Sequence, residues 1–116
     1  MKLPNANQAV VDIRKLRDYC LNPASPRGQT KARVFASALG LRRSDAEELR
    51  TQLLRAATER ECEPGETDAF GQRYTLDFVV ATRSGRAWVR SGWIVRTGED
   101  FPRLTTCYVI VRSRIS

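Results

Sequence analysis

The residues of this chain that are best suited to chemistry are one lysine and two arginines. Lys31 stands at the start of a predicted helix, directly after a loop containing proline and glycine, where its ammonium can contact a phosphate or transfer a proton. Arg90 and Arg103 fall on neighbouring predicted strands, and two planar guanidinium groups on one face can clamp a single phosphate. The three cations therefore predict a site that binds an anion and can stabilise charge on it.

Polar and aromatic side chains complete the predicted site. Ser91, Thr105 and Thr106 lie on the same two strands as the arginines, and their hydroxyl groups can orient a phosphate or a nucleophile. A second set is predicted to bind the substrate by shaping a pocket, contacting phosphate or stacking on a base, and it comprises Asn22, Ser25, Arg33, Trp88 and Arg96. The predicted site thus extends from the loop before the helix to the outer face of a sheet.

The same residues also have purely structural interpretations. Lys31 can be a solvated lysine at a helix end, and Arg90 can pair with Asp77 on an exposed sheet face that its charge keeps soluble. Asn22 and Ser25 each precede or flank a proline, which is ordinary turn chemistry, and strands favour threonine in any case. The residue types alone leave both interpretations open.

The overall charge favours an anionic partner, while the composition excludes most familiar catalytic machinery. Twenty basic and 13 acidic residues give a net charge of +7, a balance typical of proteins that bind phosphate, nucleic acid or acidic proteins. The chain has no histidine, which excludes a Ser-His-Asp triad, a histidine general base and a histidine-ligated zinc. Walker and G-x-G-x-x-G loops are also missing from the sequence, so we expect neither a metal nor a cofactor.

The start of the chain and its cysteines predict a cytoplasmic protein with no membrane partner. The sequence contains no apolar run of about 18 residues, and Pro4 and Asn5 interrupt the start where a signal peptide needs apolar residues. Cys20, Cys62 and Cys107 are odd in number and widely spaced, which suits neither a disulfide framework nor a zinc knuckle. We expect reduced thiols, two of them buried.

The spacing of apolar residues changes along the chain from helical to alternating. Asp12 is placed to cap a first helix, Thr30 to cap a second that ends at Gly40, and a third helix reaches about Glu59. A chain of 116 residues predicts one domain, and its parts are a helical half over residues 1–59, an acidic linker loop over 60–71 and an antiparallel sheet over 72–116.

The predicted sheet begins with a hairpin. A two-residue turn at Ser84-Gly85 would place Val80 opposite Val89, and on the outer face it would place Arg90 opposite Val79. A third strand is predicted from residue 103 to about residue 112, and the side chosen as its core side holds Leu104, Thr106, Tyr108 and Ile110. The predicted fold class is α+β, with three helices on a three-stranded antiparallel meander and room for a fourth strand.

The order of short motifs resembles a family of small, uncharacterised bacterial and phage-borne domains. The motifs that carry the resemblance are Leu3-Pro4-Asn5, Asn22-Pro23, Lys31-Ala32-Arg33-Val34-Phe35, Arg90-Ser91-Gly92-Trp93-Ile94 and Pro102-Arg103-Leu104-Thr105-Thr106. Such domains occur as short genes beside another small gene, or as C-terminal tails of phage-head or polymorphic-toxin proteins. The resemblance implies a toxin, and many relatives have a histidine where this chain has Ser25.

Charge and resemblance together lead to the hypothesis of a toxin-type domain that acts on RNA. The predicted architecture resembles that of barnase-like and RelE-like ribonuclease toxins, which implies metal-independent cleavage and neutralisation by a small acidic antitoxin or immunity protein. In such an enzyme lysine and arginine would stabilise charge at the scissile phosphate, and a carboxylate, lysine or tyrosine would move protons.

Two other functions stay open at this point. The chain can be a non-catalytic basic module that binds an acidic partner protein or nucleic acid, which the lack of histidine favours. It can also be a degenerate toxin that is retained as a structural tail or as a decoy for an immunity protein. The oligomeric state is not specified by any of these patterns.

Overall fold

A computed structural model describes residues 1–111, in which a layer of three helices packs on a four-stranded antiparallel sheet. The helices are α1 (Ile13–Lys15), which continues as a π turn (Leu16–Cys20), α2 (Gln29–Leu39) and α3 (Ala46–Glu59). The strands are β1 (Glu63–Asp68), β2 (Gly71–Ala81), β3 (Arg86–Arg96) and β4 (Pro102–Ile110), and they pair in the order β1-β2-β3-β4. The predicted α+β class is confirmed, whereas residues 112–116 of the predicted sheet lie outside the described residues.

Local hydrogen bonds explain where the helices begin and end. The Asp12 carboxylate accepts a hydrogen bond from the backbone N–H of Arg14 at 3.0 Å, so this residue caps α1 as predicted. The prediction that Thr30 caps α2 is wrong, because the Ser25 carbonyl already accepts from the N–H of Gln29 at 2.8 Å and the helix begins two residues earlier, with Gly28 as its N-cap. Gly40 ends α2 as predicted, with a φ of 66° that favours glycine.

The core lies between the helices and the inner face of the sheet. β2 and β3 contribute alternate apolar side chains to this face, and the helices cover them with a row of leucines and one phenylalanine. The largest fully buried side chains include Trp93, Phe35, Leu39, Leu53 and Leu76. This packing fixes α2 against the sheet and thereby positions the cations at its start.

The register of the β2–β3 hairpin differs from the predicted one by two residues. Val80 pairs with Ala87 instead of Val89, because the connection consists of residues 82–85 rather than of two residues. The Thr82 hydroxyl donates a hydrogen bond to the last carbonyl oxygen of α2 at 2.7 Å, which ties the connection to the helix layer. A shift of two residues keeps every side chain on its predicted face, so the predicted core of this hairpin is unchanged.

A β-bulge reverses the facing of the last strand halfway along it. Gly92 pairs with Thr106 while the next residue, Trp93, pairs with Leu104, so Thr105 is an extra residue in β4. Gly92 makes room for it, since a Cβ there would lie 2.8 Å from the Thr105 hydroxyl oxygen.

The bulge corrects the predicted core side of β4. Leu104 is buried as predicted, but Cys107 takes the inner face beyond the bulge and is fully buried. Tyr108 pairs with Arg90 on the outer face, and Ile110 follows it in the same alternation. The assignment of Thr106, Tyr108 and Ile110 to the core was therefore wrong, because one inserted residue moves every later side chain to the opposite face.

The predicted acidic linker loop over residues 60–71 contains a strand. β1 is an edge strand whose side chains are all exposed, and its register with β2 shifts between Pro64 and Thr67. Proline and glycine at Pro64-Gly65 suggested a loop, yet an edge strand tolerates proline because one of its sides makes no ladder hydrogen bonds. The segment thus covers one edge of the sheet.

The N-terminal segment covers part of the other edge. The backbone N–H of Val10 donates to the Pro102 carbonyl at 2.9 Å, and the N–H of Leu104 donates to the Val10 carbonyl at 2.9 Å. The start of β4 is therefore covered, whereas the edge from the bulge onward faces the cleft described below. Within residues 1–111 no helix is long and apolar enough to cross a membrane.

Candidate anion-binding site

A cleft of about 350 Å³ lies where the π turn, the start of α2 and the bulge of β4 meet. We call it the basic cleft, and its lining residues are Lys15, Tyr19, Cys20, Arg27, Gly28, Lys31, Thr105 and Thr106. Three of these side chains are cations and two are threonine hydroxyls, and none of the lining residues found in the described chain is a carboxylate. The electrostatic character of the cleft therefore favours an anion.

Lys31 is held at the centre of the basic cleft. Its Nζ donates a hydrogen bond to the Thr106 hydroxyl oxygen at 2.8 Å and lies 5.4 Å from the centre of the Tyr108 ring. An ammonium has three N–H donors, and within residues 1–111 Lys31 uses one of them on a protein oxygen. Two donors on a positioned ammonium are left for a ligand.

Lys15 and Arg27 flank this ammonium without carboxylate partners. Lys15 is half-buried at the end of α1, and Arg27 is exposed in the loop before α2. Neither forms an ion pair with any residue that the structure describes. Their charges are therefore available to solvent anions.

The π turn is the local structure that shapes the cleft. The backbone N–H of Leu21 donates to the Leu16 carbonyl at 2.8 Å, and the widened turn brings Tyr19 and Cys20 to the cleft wall. Gly28 packs directly against this turn, because a Cβ at that position would lie 1.8 Å from the Tyr19 carbonyl oxygen. Only glycine fits between the turn and α2.

Arg90 and Arg103 do not converge with Lys31 in one cleft, although the sequence predicted that they would. The Arg90 guanidinium donates to both carboxylate oxygens of Asp77 at 2.9 Å, which raises the pKa of Arg90 above its ordinary value. Arg103 donates to both carboxylate oxygens of Glu99 at 2.9 and 3.0 Å, which raises its pKa in the same way. Each arginine is thus neutralised by a carboxylate, and the predicted guanidinium clamp is absent from the described chain.

Arg103 nevertheless lies close to the basic cleft. It lines a neighbouring cleft of about 100 Å³ together with Arg96, and the two clefts share Lys15 and Thr105 in their walls. We call the joined surface of the two clefts the basic track. Arg96 thus belongs to this surface, as does the bulge residue Thr105.

Several predicted site residues serve the fold instead. Ser91 is fully buried, and its hydroxyl donates to the Leu76 carbonyl at 2.8 Å and accepts from the Trp93 indole at 2.9 Å. Asn22 and Ser25 shape the loop before α2, where the Ser25 hydroxyl accepts from the Gly28 N–H at 3.3 Å. None of these three lines the basic cleft.

Trp88 and Arg33 lie at other surfaces. Trp88 lines a shallow pocket on the outer face of the sheet with Val79 and Arg86. Arg33 lines a groove of about 720 Å³ on the other side of α2, which we call the apolar groove. Its lining residues are Leu21, Pro23, Ala32, Arg33, Ala36, Ser37, Leu41, Arg42, Arg43 and Ser44.

Four residues of the basic cleft were not predicted from the sequence, and they are Lys15, Tyr19, Cys20 and Arg27. Helical spacing of Lys15 and Tyr19 was an available signal, since residues four apart share a helix face. The position of Arg27 directly before Gly28 and the helix was another. Among the described residues, no group of three or more histidine, cysteine or acidic side chains is placed to hold a metal ion.

Comparisons with known proteins give a family and a fold. Residues 2–111 match the family described as a domain of unknown function, DUF6883. The chain is similar to a chain of the contact-dependent growth inhibition toxin–immunity protein complex from Klebsiella pneumoniae 342, with a TM-score of 0.65 and 15% identity over 87% of this chain and 99% of that chain. At this identity the likeness establishes a shared fold. No curated protein matches the sequence.

Proposed function

We propose that this chain, which belongs to the DUF6883 family, is a toxin-type domain that cleaves RNA and is neutralised by a cognate partner protein. The observation that carries the proposal is the basic cleft, in which Lys31 is hydrogen-bonded to Thr106 between two cations that form no ion pair within residues 1–111. The fold shared with a chain of a toxin–immunity protein complex supports the toxin assignment and the protein partner. Its site of action would be the cytoplasm, where RNA is found.

The basic cleft offers what metal-independent RNA cleavage requires at the phosphate. When the 2′-hydroxyl of the RNA attacks the adjacent phosphorus, charge builds up on the non-bridging oxygens. The two remaining N–H donors of Lys31 would stabilise that charge, and Thr106 fixes the position of the ammonium. Because this ammonium is already held in place, little reorganisation energy is needed when the charge develops on the phosphate.

Proton transfer would fall to a tyrosine or a lysine, because the chain has no histidine and no carboxylate lines the basic cleft within residues 1–111. Tyr19 is 51% exposed at the cleft wall, where it can reach a bound nucleotide. Lys15 is the alternative, at the other end of the same helical segment. Either group can deliver a proton to the leaving 5′-oxygen as the P–O5′ bond breaks, while the attacking 2′-hydroxyl gives up its proton to water.

The basic track would bind the RNA strand on one side of the scissile phosphate. Lys15 and Thr105 join the basic cleft to the smaller cleft, where Arg96 supplies a further cation for a neighbouring phosphate while Arg103 is paired with Glu99. Binding of this kind releases counterions and weakens as salt is added.

Cleavage is tested with purified protein, total RNA and EDTA. The wild-type domain is expected to give discrete fragments, and Lys31→Ala to lower the cleavage rate by about 100-fold or more because one charged donor at the reacting phosphate is lost. Arg33→Ala is the matched control, since it removes a cation from the same helix on the side of the apolar groove. It should cleave at the wild-type rate.

Intact RNA at a large excess of folded wild-type protein would contradict the proposal. Equal losses of cleavage rate in Lys31→Ala and Arg33→Ala would also contradict it, because the rate would then depend on the total charge of the protein rather than on a cation in the basic cleft. Thermal unfolding of each variant identifies any loss that comes from misfolding.

The apolar groove favours a second function, the binding of an acidic protein. Its floor is formed by apolar residues such as Leu21 and Leu41, and its rim carries Arg33, Arg42 and Arg43. An apolar strip with acidic flanks on a partner would match both features. This groove can serve a non-catalytic module or the immunity contact of a toxin.

Expression in a bacterial host separates these two functions. A ribonuclease halts growth, Lys31→Ala relieves the arrest, and the product of the adjacent small gene restores growth in the wild type. Harmless expression of the folded wild-type chain, together with a tight complex with that gene product, would support the binding module and contradict cleavage.

A further inference from the structure

Two buried cysteines meet at the base of the basic cleft, although they come from opposite layers of the fold. Cys20 ends the π turn, is 4% exposed and lines the cleft wall. Cys107 lies on the inner face of β4 and is fully buried behind it. The two thiols lie close enough that each shifts the pKa of the other, and Cys20 shares the cleft wall with Thr106, the residue directly before Cys107.

The surroundings make the two thiols unequal. Interaction with the Cys107 thiol lowers the pKa of the Cys20 thiol below its ordinary value against the opposing effect of burial, and the nearby charge of Lys31 lowers it further. Interaction with Cys20 and complete burial raise the pKa of the Cys107 thiol. The thiolate is the reactive form of cysteine, so the thiol at the cleft wall is the nucleophile of the pair.

We propose that Cys20 and Cys107 form a reversible oxidation site that reacts with small anionic disulfides. The contact between the two side chains is what allows them to join, and the opening of the cleft at Cys20 provides access. Lys15, Arg27 and Lys31 line the same cleft and attract a disulfide that carries carboxylates, such as glutathione disulfide. This site does not depend on cleavage of RNA.

The reaction consists of two thiol–disulfide exchanges. The Cys20 thiolate attacks one sulfur of the small disulfide, which forms a mixed disulfide and releases one small thiolate. The Cys107 thiol then loses its proton and attacks the Cys20 sulfur, which forms the Cys20–Cys107 disulfide and releases the second small thiolate. The protein has lost two protons and two electrons, and the small disulfide has been reduced to two thiols.

Cys62 is a control for this reaction within the same chain. It is also buried and free, but it lies beside the N-terminus, where its backbone N–H donates to the Met1 carbonyl. Burial raises the pKa of its thiol, and it lines neither the basic cleft nor the smaller cleft beside it. It should react more slowly than Cys20.

The test treats the reduced, folded full chain with glutathione disulfide and maps the modified cysteines by mass spectrometry. The wild type is expected to form the Cys20–Cys107 disulfide, Cys107→Ser to accumulate the mixed disulfide at Cys20, and Cys62→Ser to oxidise at the wild-type rate. Cystamine, a cationic disulfide, should react at least about 10-fold more slowly at low salt, and added salt should narrow the difference.

Modification of Cys62 before Cys20, or no modification of Cys20 in the folded wild type, would overturn the proposal. Equal rates with the anionic and the cationic disulfide would overturn the role of the cleft cations. Because the wild-type map needs no substitution, a Cys107→Ser variant that fails to fold leaves the test intact.

Discussion

The basic cleft and the apolar groove lie on opposite sides of α2, and both contain cations supplied by that helix. Lys31 sits among hydroxyls and other cations and is fixed by Thr106 at 2.8 Å. Arg33, two residues later, is exposed at the rim of an apolar floor. The surroundings of a cation thus determine its use, because polar walls suit a phosphate whereas an apolar floor suits another protein.

A substitution where the π turn meets the start of α2 should have the largest effect. Gly28→Ala would force a Cβ into the Tyr19 carbonyl oxygen at 1.8 Å and push the π turn away from α2. We expect the free energy of unfolding to fall by about 3 kcal/mol, measured by urea denaturation. RNA cleavage should fall with it, because the turn carries part of the basic cleft.

Gly98→Ala is the matched control for this substitution. Its φ of 88° favours glycine, unlike the φ of Gly28, but a Cβ there would meet nothing within 4 Å. It should cost about 1 kcal/mol, which is the backbone strain alone. Equal losses in the free energy of unfolding for the two variants would show that the contact between the π turn and α2 does not contribute to stability.

Two single arginine substitutions should separate the cleft from the groove. Arg27→Ala should weaken RNA binding several-fold and lower the slope of log affinity against log salt by about 1, because one phosphate contact is lost. Arg42→Ala should leave RNA binding unchanged and lower the affinity for the partner protein by about fivefold. Fluorescence anisotropy with labelled RNA and calorimetry with the partner protein measure the two affinities. A variant that lowers both affinities would show that the cleft and the groove do not act separately.

A smaller effect is expected at Glu99, the carboxylate that occupies Arg103. Glu99→Gln should strengthen RNA binding by about threefold, because a guanidinium on the basic track is released. Unchanged RNA affinity of this variant would show that Arg103 does not contact the bound RNA.

The same ion pair predicts a dependence of stability on pH. Hydrogen bonding to Arg103 holds the pKa of Glu99 below its ordinary value of 4.5, so the ionised carboxylate stabilises the fold above that pH. This contribution disappears as the pH falls through the lowered folded value. The urea midpoint of the wild type should therefore fall on acidification more than that of Glu99→Gln.

The alternation of apolar residues was sufficient to predict the fold class and the inner faces of β2 and β3. It could not predict the four-residue hairpin connection, since this depends on a tertiary hydrogen bond between Thr82 and the end of α2. It could not predict the bulge either, because Thr105 is accommodated only where Gly92 lies opposite. These features are set by contacts between distant parts of the chain.

Half of the predicted catalytic set lines the basic cleft, and the hairpin register explains one of the failures. The predicted register placed Arg90 opposite Val79, whereas the observed register places it opposite Asp77, which neutralises it. Glu99 and Arg103 are four residues apart across the β3–β4 turn, and the sequence did not show that the turn would bring them together. Lys31 lies in the basic cleft, and the sequence could place it near the start of α2 because that position depends on one helix alone, whereas its role at a phosphate stays a prediction.

Whether the basic cleft binds the scissile phosphate can be measured by an NMR titration of the protein with RNA. A short RNA with a single 2′-deoxy substitution at the cleavage position binds without being cut, since the attacking hydroxyl is missing. If RNA binds in the basic cleft, its addition should give saturable amide shifts at Lys15, at residues 27–31 and at Thr105 and Thr106, with none along the apolar groove. Shifts concentrated at Arg33, Arg42 and Arg43 instead, with none at Lys31, would contradict it.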